Sequence, residues 1–203
     1  MNKKLSLVIG VSYLIIFFTA IFANFFVLDL IIGSPLSAVN DNGLLIRFGI
    51  IAFLVAALFD VVVAWALYEL YKDHIFSRLS TYFRLIHAAL MGGAVFALLS
   101  VFRFNTETEI LYQVDTFNDI WLTGLFFFGF HLILVTRIIK LPKLISFFLS
   151  LAGVMYIVDT LAHFLLSNYD TYASLFLTLV AIPSILGEMA FGLWFLIKGL
   201  KKN

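Results

Sequence analysis

The stretch that decides the fold is residues 46–71, IRFGIIAFLVAALFDVVVAWALYELY. Between Arg47 and Glu69 it carries one charged side chain, Asp60. As a helix its 26 residues would run roughly 39 Å at 1.5 Å per residue, enough to cross a hydrocarbon core of about 30 Å. The run is continuously apolar. A transmembrane barrel strand would alternate apolar and polar residues over about ten positions.

Five further stretches share this character, which predicts an all-α integral membrane protein. We read it as a single transmembrane domain over residues 1–203, a six-transmembrane-helix bundle with spans at about 5–33, 46–71, 83–102, 120–139, 144–166 and 173–197. The breaks carry loop chemistry: Ser34-Pro35, Asn40-Asp41-Asn42-Gly43, Lys72-Asp73-His74, Asn105-Thr106-Glu107, Pro142 and Asn168-Tyr169-Asp170. The opening Met-Asn-Lys-Lys followed by an apolar run resembles a signal peptide. The run is too long for one and shows no small-x-small cleavage pattern, so we take it as the first retained span.

Composition agrees. Of 203 residues, 63% are hydrophobic and 12% charged, too little charge to cover a soluble surface. A net charge of +1 without a basic block excludes a nucleic-acid binder. The absence of cysteine excludes disulfides, Cys-ligated metal and a thiol nucleophile. All eight lysines lie at span ends or in loops, so none could carry a retinal Schiff base. There is no Gly-x-Gly-x-x-Gly, P-loop, Gly-x-x-x-Gly or Gly-x-Ser-x-Gly motif.

Orientation follows the basic residues. Lys3, Lys4, Lys72, Arg78, Arg84, Arg137, Lys140, Lys143, Lys198, Lys201 and Lys202 fall on one side; Arg47 and Arg103 fall on the other, beside Glu107, Glu109, Asp115 and Asp119. Both termini are therefore expected in the cytoplasm, and the protein in a bacterial inner (plasma) membrane as a multi-pass chain.

Ionisable residues within spans cost about 2.5–3.5 kcal/mol each on insertion scales. Asp60, Asp159, Glu188 and His131 lie inside; His163 lies nearer an end, and Arg84 and His87 lie near the cytoplasmic end of span three. From the rise per residue, Asp60, Glu188 and His131 are roughly 20, 22 and 17 Å from the outer end of their spans, one layer on three helices. Asp159 lies above them, with Tyr156 and His163 on its own face. Unpaired, three such acids would cost as much as a domain's whole stability, so they must be paired, protonated or metal-bound. Pro183 removes a helix hydrogen bond shortly before Glu188 and should bend span six.

The pattern Phe83-Arg84-Leu85, Phe127-Phe128-Gly129-Phe130-His131, Pro142, the run from Ala152 to Asp159, and Gly187-Glu188 with Trp194 resembles a bacterial membrane family catalogued as domain of unknown function 4386. The resemblance runs from about Val11 to Gly199 and is strongest from Phe127 to Asp159. Val135-Thr136-Arg137 departs from the family's pattern, which bears on local packing. The resemblance implies a six-helix fold and no particular reaction. It singles out Asp60, Arg84, His131, Asp159 and Glu188.

Three readings follow. In the first, Asp60, His131, Asp159, Glu188 and Tyr156 bind a small polar or amphipathic ligand, a cation or protons, for transport or sensing; Asp60 and Glu188 bear the charge and His131 is their titrating partner. In the second, His131, Asp60, Asp159, Glu188 and His163 hold a divalent metal such as zinc in an intramembrane lipid hydrolase, with Glu188 as general base. In the third, the cluster is packing glue in a structural or partner-binding subunit. No cofactor is required by the first or third. Arg84 and His87 are expected at lipid headgroups or in an ion pair with an acid such as Glu69. The bilayer is the expected partner, together with a small-molecule or lipid ligand or a second copy of the chain.

Overall fold

A computed structural model describes residues 2–201. Its first long helix starts where the Asn2 side chain accepts from the backbone N–H groups of Lys4 and Leu5, at 3.0 and 3.4 Å. Helix α1 (Lys3–Ile21) continues through a π-helical stretch (Phe22–Leu28) into α2 (Asp29–Gly33). Within that stretch the Asn24 amide donates to the Ala20 carbonyl at 2.9 Å. The Ser34-Pro35 break opens a short helix, α3 (Pro35–Asp41), because proline suits a first helical turn, where its missing N–H leaves nothing unpaired.

The remaining helices are α4 (Gly43–Tyr71), α5 (Ser77–Ser100), α6 (Glu107–Ile138), α7 (Lys143–Leu165) and α8 (Ala173–Leu200). Counting α1 and α2 as one, six helices among the described residues are long and apolar enough to cross a membrane. The expected fourth span begins at residue 120, but α6 starts at Glu107. The cause is local: Thr106 caps the helix, its hydroxyl accepting from the Glu109 backbone and donating to the Glu109 carboxylate at 2.6 Å. The polar first turns of α6 thus extend the helix beyond its apolar part. Helix α8 remains helical through the buried Pro183.

The six long helices pack in chain order as a closed ring: α1 on α4, α4 on α5, α5 on α6, α6 on α7, α7 on α8, and α8 back on α1. Alternation gathers Lys3, Lys72, Arg78, Arg137, Lys143 and Lys198 at one end, here the basic end. Arg47, Arg103, Glu107 and Asp170 lie at the other, the acidic end.

Small residues permit the closest crossings. A side chain at Gly129 in α6 would place its first carbon 2.5 Å from the Gly153 carbonyl oxygen of α7, and one at Gly153 would meet the Gly129 carbonyl at 2.6 Å. The two glycines face each other across helices, so no spacing within one helix reports them.

Two large apolar clusters and a small one of Ala56, Ala57 and Met91 fill the ring. The large one toward the acidic end includes Ile31, Ile46, Phe53, Leu98, Ile110 and Phe117. The other large one, toward the basic end, includes Ile9, Leu67, Leu132, Leu149, Phe191 and Phe195. Outside, Phe18, Phe26, Leu58, Phe96, Phe147 and Leu177 are exposed, a surface suited to hydrocarbon rather than water. Between the two large clusters lies a polar layer.

Candidate functional site

Every long helix sends a polar side chain into that layer: Tyr13 from α1, Asp60 from α4, Arg84 and His87 from α5, His131 from α6, Tyr156 from α7 and Glu188 from α8. Arg84 is at its centre, with 1% of its surface exposed. One guanidinium nitrogen, Nη2, donates to Asp60 Oδ1. The other, Nη1, donates to the Tyr13 hydroxyl at 2.7 Å and to His131 Nε2 at 3.2 Å. The guanidinium also lies 5.0 Å from the Tyr13 ring centre and 5.1 Å from that of Phe128.

His131 accepts from a cation at Nε2, so Nδ1 carries its proton and donates to the Ser80 carbonyl at 2.9 Å. The His87 ring stacks on Phe128 with centroids 4.6 Å apart. Its Nε2 is 3.6 Å from Asp60 Oδ2, beyond hydrogen-bonding range.

Glu188 behaves differently. Its Oε1 accepts from the Tyr156 hydroxyl at 2.9 Å, and among the described residues it forms no ion pair. It lines a chamber of about 130 Å³ together with Asp60, Arg84, His87 and Tyr156. It also lines a second cavity of about 180 Å³, in the crevice between α1 and α8, with Phe17, Ile185 and Met189.

Residues 8–199 match the family described as Domain of unknown function (DUF4386). The chain belongs to this family. An uncharacterised protein of Archaeoglobus fulgidus is 28% identical over 160 residues, covering 76% of this chain and 85% of that one. No solved structure matches.

In this DUF4386 chain several sequence expectations are redrawn. Asp159 does not join the central layer. It lines a third cavity, of about 430 Å³ and nearer the acidic end, with Trp121, His163 and Tyr169. Its Oδ1 accepts from the Tyr169 hydroxyl at 2.7 Å. Burial, and then the bond to Asp159, hold the Tyr169 hydroxyl well above the ordinary phenol range. Tyr156 and His163, expected on the face of Asp159, turn elsewhere: Tyr156 to Glu188, and His163 Nε2 to Asp119 Oδ1 at 2.9 Å.

The five residues offered as metal ligands, His131, Asp60, Asp159, Glu188 and His163, are therefore divided between two sites. His131 spends both ring nitrogens on Arg84 and Ser80. Among the described residues no group of three or more His, Asp or Glu is placed to hold a metal ion.

Arg84 and His87 are buried and face Asp60 rather than headgroups. Span three begins at Ser77, so Arg84 lies two turns inside α5, level with Asp60 and not with Glu69. This also removes Arg84 from the basic residues that argue orientation; Lys202 lies outside the described residues. His131 touches the cation and not the acids. Tyr13 is the member of the layer that sequence reasoning passed over. Its hydroxyl was the signal, a polar tip on an apolar helix that requires a partner once buried.

Proposed function

We propose that this protein is a membrane carrier or sensor in which Glu188 takes up a proton or a small cation, while the Asp60–Arg84 pair forms a fixed frame behind it. The observation that carries the reading is the unequal treatment of two acids in one chamber. Asp60 is neutralised by Arg84, three of whose four terminal N–H groups are taken by Asp60, Tyr13 and His131. Among the described residues Glu188 is bonded to the Tyr156 hydroxyl and to no cation. A hydroxyl satisfies a lone pair but does not cancel a charge, and an uncompensated carboxylate at this depth costs several kcal/mol. A proton or a bound cation supplies the missing compensation.

Access supports the same reading. Glu188 stands in the wall shared by the central chamber and the α1–α8 crevice, whereas Asp60 and Arg84 line the chamber alone. Arg84 Nε, buried and without an acceptor among the described residues, suits a chamber that holds water. The separation of His131 from Asp159 and His163 gives the hydrolase reading no comparable support.

The test is infrared difference spectroscopy of protein in lipid nanodiscs, on changing pH and on adding sodium, potassium or an alkylammonium salt. The wild type is expected to show a carboxylic-acid carbonyl band that responds to one of these changes and is absent in Glu188→Gln. A band that persists in the variant, or a wild type that responds to none of them, would overturn the reading.

A further inference from the structure

The acidic-end cavity has no part in the reading above, and we propose that it is a separate binding site for an apolar monocation: an organic ammonium whose charge sits on Asp159 and whose hydrocarbon body fills the space beside Trp121. Four observations lead there.

The first is the carboxylate. Asp159 is 6% exposed, yet it lines the cavity, and one of its oxygens is taken by the Tyr169 hydroxyl. Among the described residues, Oδ2 makes no hydrogen bond and the side chain makes no ion pair. A buried carboxylate held in position by one hydroxyl, with its second oxygen open to a cavity, is an acceptor awaiting a donor.

The second is the sign of the surroundings. Among the described residues no lysine or arginine lines the cavity. His163, its one basic group, is bonded to Asp119 and not to Asp159. An anion would meet the Asp159 carboxylate, while a cation would meet no lysine or arginine.

The third is the wall. Trp121 and Tyr169 contribute aromatic rings to the lining, and Leu122, Leu125, Leu177 and Val180 supply hydrocarbon. Aromatic faces attract an ammonium, and the aliphatic part rewards an apolar body rather than a hydrated inorganic ion.

The fourth is size. At about 430 Å³ the cavity is more than three times the central chamber and falls in the range of small-molecule pockets, roughly 300–1,000 Å³. A bare metal ion would leave it nearly empty, and its donors are not grouped for one.

Trp121 and Leu125, one helical turn apart on α6, line both this cavity and the central chamber, so they form the partition between the two sites. Occupancy of the outer site does not depend on the role proposed for Glu188.

The experiment is isothermal titration of the full chain in nanodiscs with benzyltrimethylammonium, and with neopentylbenzene as its uncharged isostere. Saturable binding of the cation is expected, with the isostere about tenfold weaker or worse, the scale of one partly desolvated charge contact. Asp159→Asn should weaken the cation by a similar factor and leave the isostere unchanged. Ala173→Phe, which fills the cavity while keeping Asp159, should abolish binding of both, and serves if Asp159→Asn does not fold. Glu188→Gln should bind the cation as the wild type does. Equal affinity for cation and isostere, no saturable binding to the wild type, or undiminished binding to Ala173→Phe would overturn the proposal. Loss of binding in Glu188→Gln alone would instead assign the cation to the central chamber.

Discussion

Arg84 and Asp60 form an ion pair across the α4–α5 interface with side chains 1% and 3% exposed, and the same guanidinium ties the pair to α1 and α6. Removing one member strands the other charge, which in buried pairs costs about 3–5 kcal/mol, whereas replacing both by apolar residues of similar volume is often close to neutral. Arg84→Met and Asp60→Leu alone are each expected to unfold far more readily than the wild type in a mild detergent. The double variant should recover most of the loss. Arg84→Lys should not, because one ammonium cannot span Asp60, Tyr13 and His131 as a planar fork does. Thermal unfolding of the four variants checks this, and a double variant as unstable as Arg84→Met would refute the compensation.

The Gly129–Gly153 crossing gives a second expectation. Gly129→Ala forces its new carbon against the α7 backbone, where no flexible side chain can yield, and overpacking of that kind costs about 1–3 kcal/mol. Gly92 and Gly93 are also helical, but a side-chain carbon there meets nothing within 4 Å. Gly92→Ala and Gly93→Ala should therefore stabilise α5 by about 0.5–1 kcal/mol through the entropy of the unfolded chain. Denaturation midpoints of the three variants should separate in sign.

At the acidic end, the raised Tyr169 hydroxyl sets a pH dependence. Folding holds this proton more tightly than the unfolded chain does, so the contribution is complete below the ordinary tyrosine value of about 10 and fades as the pH climbs toward the folded value. Tyr169→Phe should lose less stability than the wild type between neutral and strongly alkaline pH. Parallel melting curves for the two proteins would contradict the assignment.

The chain has no native cysteine, so its orientation can be read without background. The basic-residue bias predicts that the acidic end lies outside the cell. Glu109→Cys should react with a membrane-impermeant maleimide in intact cells, and Lys140→Cys only after permeabilisation. The reverse pattern would place both termini outside.

The membrane class, the helix count and the identity of the costly residues were legible in the linear chain. Apolar runs of 20 or more residues have one economical structure in a bilayer, and each ionisable group within them stands out by its insertion cost. Legibility ended at pairing. Arg84 looked interfacial because apolarity alone places the start of span three at Phe83, whereas the helix extends to Ser77 and carries the arginine inward. Asp159 looked like a neighbour of Tyr156 because the two share a helix face, yet that face is wide enough for one to reach Glu188 and the other Tyr169.

Hydropathy follows from composition along a single helix and survives any arrangement of the bundle. The arrangement that pairs Asp60 with Arg84 and Glu188 with Tyr156, and sets Asp159 apart from both, depends on which helices adjoin. It was settled by the closed ring, in which α5 carries Arg84 against α4 and leaves Glu188 of α8 facing Tyr156, because charge compensation is decided by distances of a few ångströms between helices that the chain itself holds far apart.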